Sequence, residues 1–136
     1  MIRGFLVSIG FLASSVTFAS SLICSGESLY LRSVSNDFGT RPQPGAVLGR
    51  ETILMNGDVL QDYTRIEGLR PNGIPPYGTV FEDNAIVLEN SGSHIASKSI
   101  FKRVMVLNEY DSRSMNLIRE VAREEVVCKQ TSYLVP

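Results

Sequence analysis

One histidine, two cysteines and a scatter of carboxylates are the residues on which chemistry could rest in this chain, which has no tryptophan. His94 follows Ser91-Gly92-Ser93. A serine nucleophile needs a hydrogen-bonded base, and adjacent side chains rarely meet that way. No G-x-S-x-G elbow is present either, so His94 is expected in a solvated loop. Glu82-Asp83, Glu120 and Glu124-Glu125 put acids close together in sequence. Acid–base catalysis requires carboxylates opposed across a cleft, which neighbours in sequence do not supply. These are read as turn and surface charges. A zinc site built from His94, Cys24 and Cys128 lacks ligand spacing, and no EF-hand or phosphate-cradling glycine pattern occurs. The residues predict no enzyme, no metal and no cofactor.

The two cysteines carry a structural expectation instead. The chain opens with Arg3 ahead of an apolar run from Phe5 to Ala13, and Thr17-Phe18-Ala19 places small residues before a cut after Ala19. This is the pattern of a secretory signal, and the run is far short of the roughly 20 residues that span a bilayer. Residues 1–19 are therefore read as a cleaved signal peptide, and residues 20–136 as one small domain. Ser21 and Ile23 do not fit a lipoprotein signal around Cys24. Export to the periplasm or beyond is oxidising, so Cys24 and Cys128 are expected to form a disulfide. No C-x-x-C and no histidine beside either cysteine argues for a reactive thiol.

The elements that would position these residues read as β. Leu29–Val34 is a predicted first strand with a start as early as Leu22, followed by a proline-bearing loop to Pro44. Asn56-Gly57 between Thr52–Met55 and Asp58–Gln61 predicts a type I′ hairpin. That register pairs Ile53 with Leu60 and Leu54 with Val59. It also opposes Glu51 to Asp62, a like-charge pair that sheets disfavour, so the ladder should bulge, splay or end there. A second hairpin is expected around Asp83-Asn84, pairing Phe81 with Ile86 and Val80 with Val87. Ser99–Leu107 reads as another strand. Met115, Ile118, Ala122 and Val126 recur at helical spacing, which predicts a short helix in the first half of Met115–Val127 and a final strand over Glu125–Tyr133; the alternative is that Asp111-Ser112-Arg113-Ser114 forms a turn returning a strand to the sheet. The fold class is thus mainly β, an antiparallel barrel or sandwich of about six or seven strands, with α+β as the alternative.

The segment from Arg70 to Tyr77, rich in proline, excludes a central strand. Arg70, Ile74 and Tyr77 combine a stiff loop with side chains favoured as binding anchors, and they form the candidate interaction loop. Core packing of Ile74 and Tyr77 is the structural alternative. Cys24-Ser25-Gly26-Glu27-Ser28-Leu29-Tyr30-Leu31, Val126-Val127-Cys128 and Ser91-Gly92-Ser93-His94-Ile95 resemble the opening strand, closing strand and inhibitory loop of the periplasmic C-type lysozyme inhibitors. Ile95 stands where that family has a tyrosine, and the family's tryptophan-rich segment is missing. The resemblance implies a small β-barrel with Ser91 and His94 in an inhibitory loop.

Thirteen basic and 14 acidic residues give a net charge of −1, with no basic block to hold nucleic acid or an anionic membrane. The sequence predicts an exported, non-enzymatic module that binds another envelope or secreted protein. A small β-barrel carrying an apolar ligand is the alternative.

Overall fold

The computed structural model describes residues 18–69 and 75–134. They form seven strands: β1 Phe18–Ser25, β2 Leu29–Asp37, β3 Val47–Met55, β4 Asp58–Ile66, β5 Tyr77–Gly92, β6 Ala96–Tyr110 and β7 Leu117–Leu134. All pairs are antiparallel, in one sheet of order β4-β3-β2-β1-β7-β6-β5. The mainly β expectation is met, with first and last strands side by side.

The sheet curls until its two ends meet. Following opposed residues around from Gln61 leads through Ile53, Leu31, Cys24, Cys128 and Phe101 to Val87. Yet the Gln61 side chain meets β5 far from Val87. Its amide donates to the Tyr77 carbonyl at 2.8 Å and its carbonyl accepts the Tyr77 N–H at 2.9 Å. A stagger of this kind is what tilts the strands of a barrel. One side chain thus serves as the ladder rung between β4 and β5.

The core fills one end of this curl. Cys24, Leu29, Leu31, Ile53, Met105, Leu107, Val126 and Cys128 form one buried cluster. Cys24 and Cys128 are directly opposed on β1 and β7 and are disulfide-bonded, with Cα atoms 4.0 Å apart. Below them Glu124 turns inward under the β1–β2 turn. Its Oε1 accepts the Ser28 hydroxyl at 2.6 Å and the Ser28 and Leu29 N–H groups at 2.8 Å each. Burial pushes this carboxyl up, but those hydrogen bonds outweigh it and hold the group below the usual carboxylate range. Gly26 leaves room for the arrangement, since a Cβ there would lie 2.8 Å from the Glu124 carboxylate.

Local expectations fare unevenly. The Asn56-Gly57 turn forms with both residues at positive φ, 53° and 84°, and Leu54 pairs with Val59. A bulge at Leu60 then shifts the register, so Ile53 faces Gln61 rather than Leu60. The shift sets Thr52 opposite Asp62 and leaves Glu51 opposite Tyr63. The like-charge pair is avoided by the bulge, and Arg50 holds Asp62 at 2.7 Å instead.

Three expectations are corrected. The segment from Leu22 to Val34 is two strands, split at a turn in which the Gly26 N–H donates to the Leu29 carbonyl. There is no hairpin at Asp83-Asn84: β5 runs through, Phe81 pairs with Met105 and Val80 with Val106. Asp83 takes φ 60° inside a bulge between Glu82 and Ile86, with Arg103 Nε donating to its carbonyl at 2.9 Å. Without a glycine at the second turn position, the local signal yields to the long ladder with β6. The predicted helix over the first half of Met115–Val127 is absent, and β7 runs from Leu117. Met115 has φ 65°, a conformation no helix accepts. Asp111 Oδ1 accepts the Arg113 and Ser114 N–H groups at 2.9 Å and so fixes the β6–β7 turn. Steps of four between Ile118, Ala122 and Val126 are also even steps, which suit a strand.

Candidate functional site at the open end of the barrel

Toward the other end, the inward positions stop being apolar. On β2 the inward series Leu29, Leu31 continues as Ser33 and Ser35. On β3, Ile53 gives way to Glu51 and Gly49, and on β4 the opposing residues are Tyr63 and Arg65. The registers assemble these into two rows, Ser33–Glu51–Tyr63 and Ser35–Gly49–Arg65, above the buried row of Leu31 and Ile53. Tyr77, Tyr110 and Met115 close the far side. Together they bound an open cavity of about 540 Å³, within the range of sites that hold small molecules.

Each wall residue has a reason to stand where it does. Gly49 is bare because Arg65 lies over it. A Cβ at that position would fall 3.0 Å from Arg65 Nη2 and 2.8 Å from the Val34 carbonyl oxygen. Tyr110 lies over Gly78, where an added Cβ would meet its ring at 3.2 Å, and its hydroxyl accepts from Asn108 Nδ2 at 3.1 Å. Tyr77 is fixed by the Gln61 clasp. Glu51 is partly buried, which pushes its carboxyl above the ordinary value, while the Arg65 charge pulls it back. No contact ion pair joins Glu51 to Arg65 among the described residues.

Of the candidate interaction loop, Tyr77 lines the cavity, as does its neighbour Pro75. Arg70 and Ile74 lie outside the described residues. His94 is exposed in the β5–β6 turn with Ser93, away from the cavity lining. The acidic residues are placed as structural and surface charges. Arg123 bridges Glu82 and Glu120, Glu124 caps the turn, and Glu125 lies 3.8 Å from Lys102. Among the described residues no three His, Cys, Asp or Glu side chains gather to hold a metal.

Ser33, Ser35, Glu51, Tyr63 and Arg65 were not singled out by the sequence. A signal existed: the inward alternation passes from apolar to polar along β2 and from polar to apolar along the antiparallel β3. Reading it required the barrel register, which only the assembled sheet supplies.

Comparison with protein-family models, curated proteins and solved structures finds no match. The likeness to lysozyme inhibitors therefore gains no support from relatives, and the cavity must be judged on its own geometry.

Proposed function

We propose that this chain is a non-enzymatic binding protein of the periplasm or extracellular space, and that it holds a small ligand in the open end of its barrel. The cavity of about 540 Å³ carries this reading. It sits on a packed floor, so the opening is not a consequence of a loose interior. Its lining mixes serine hydroxyls, charges of both signs, three phenol rings and the apolar Val34, Pro75 and Met115, and a few polar groups in a largely apolar wall are what orient an occupant. The lining does not favour the apolar cargo expected for a carrier, because Glu51 and Arg65 would be left beside hydrocarbon. Export is supported by the buried disulfide, a bond characteristic of oxidising compartments. A cut after Ala19 would take Phe18 and Ala19 from the end of β1 and leave Cys24 in place. Among the described residues no helix is long and apolar enough to cross a membrane.

Capture of a protein remains the second reading. Pro75 and Tyr77 line the cavity beside its opening, so a partner could seat a side chain there. One experiment separates the two. A chemically diverse fragment set is titrated into the isotope-labelled protein and followed by NMR. Shifts confined to Ser33, Glu51, Tyr63 and Tyr77, and abolished when Ser33→Phe fills the cavity from its floor, are expected. If no fragment perturbs these residues, small-ligand binding is wrong and protein capture becomes the leading reading.

A further inference from the structure

We infer that the cavity is built for a zwitterion with a ring or apolar body: an ammonium directed to Glu51, a carboxylate directed to Arg65, and the body held among Tyr63, Tyr77 and Tyr110. This rests on the small-ligand reading above and specifies its chemistry.

The charges are placed for this. Glu51 and Arg65 come from neighbouring strands, on adjacent inward rows, so they are diagonal neighbours across the β3–β4 ladder. Such diagonals separate by roughly 7–8 Å at the backbone, within reach of long side chains. A surface pair in that position usually closes on itself. Arg50 and Asp62 do so on the outer face of the same two strands, at 2.7 Å. Glu51 and Arg65 do not, and the Arg65 guanidinium instead lies over the bare backbone of Gly49. The inner pair is thus held apart with its hydrogen-bonding capacity unspent toward each other.

Both charges line the same cavity, so a ligand bearing one sign is drawn to one of them and repelled by the other. An anion alone meets Glu51, and a cation alone meets Arg65. A molecule carrying both signs satisfies the two together and avoids leaving either desolvated without a partner. The serine hydroxyls of the same rows, Ser33 and Ser35, can donate or accept beside it. The rings opposite supply an apolar surface on which a flat body can stack, and a phenol face also attracts an ammonium.

The test uses four probes that share a benzene ring: phenylalanine, phenethylamine, 3-phenylpropionate and benzyl alcohol. They are titrated into the disulfide-bonded protein at about pH 8, where free carboxylates are ionised, with the NMR shifts of Glu51, Tyr63 and Arg65 as readout. Phenylalanine should bind at least about tenfold more tightly than either singly charged analogue. Glu51→Gln should bring phenylalanine down to the level of 3-phenylpropionate, and Arg65→Gln should bring it down to the level of phenethylamine. Urea midpoints no lower than that of the wild type show that the variants are folded. Equal binding of all four probes, or retention of phenylalanine by both variants, overturns the zwitterion and leaves the cavity a ligand site. Failure of every probe, benzyl alcohol included, to perturb the cavity removes the ligand site as well.

Discussion

The two ends of this barrel share strands β2, β3 and β6 and differ in what fills them. At the closed end, inward residues of five strands interlock around a disulfide, and a glutamate with three donors finishes the turn. At the open end, β2, β3 and β4 present serines, a bare glycine and two unjoined charges. The lesson is a division of labour: one half of the interior supplies the stability, which leaves the other half free to be shaped without being packed.

That division predicts unequal sensitivity to mutation. The largest effect is expected from Cys24→Ala/Cys128→Ala, which should cost about 2–5 kcal/mol of unfolding free energy, measured by urea denaturation. Ile53→Ala, at a position with no exposure, should cost roughly 2–4 kcal/mol through the cavity it leaves. Ser33→Ala and Ser35→Ala, a few ångströms along the same sheet, should stay within about 0.5 kcal/mol. Comparable losses at both ends would refute the division.

Glu124 comes next. Its carboxyl is held below its ordinary value in the folded chain, so its contribution is complete above the unfolded value and fades as pH falls through the folded one. Glu124→Gln should lower the unfolding free energy at neutral pH by about 1–2 kcal/mol for the charged hydrogen bonds lost, measured by urea denaturation, and the difference from wild type should shrink in acid. A difference independent of pH would mean that shape, and not charge, matters there.

The smallest effect has the opposite sign. Glu51 is raised in the folded chain by burial, so it binds protons more readily folded than unfolded, and stability falls as pH rises through that window. Glu51→Gln should therefore raise the melting temperature at neutral pH by about 1–3 °C. A loss of stability would show that Glu51 is a structural residue.

The same contrast explains what could be read in the sequence. The closed end announces itself: Leu29, Leu31 and Ile53 alternate with polar neighbours, Asn56-Gly57 has one favoured turn, and two cysteines allow one bond. Even the bulge after Asn56-Gly57 was foreshadowed by the clash of Glu51 with Asp62. Asp83-Asn84 misled because a residue tolerant of positive φ serves a bulge as well as a hairpin. Met115–Val127 misled because steps of four fit both a helix and a strand. The open end stayed hidden for a different reason. Ser33, Glu51 and Arg65 are far apart in sequence and look like ordinary surface residues until the register sets them side by side.

The neighbourhood of β1 and β7 has a temporal consequence. β1 is flanked by β2 on one side and by the last strand on the other, and its cysteine meets a partner 104 positions downstream. A chain that emerges amino end first, from a ribosome or through a translocation pore, can build the β1-to-β4 meander early, but its inward Leu29, Leu31 and Ile53 lack their packing partners until β6 and β7 arrive. Long-range pairing of this type slows folding, so the barrel can assemble only once β7 has emerged. A chain threaded through a narrow channel stays pliable for as long as threading requires.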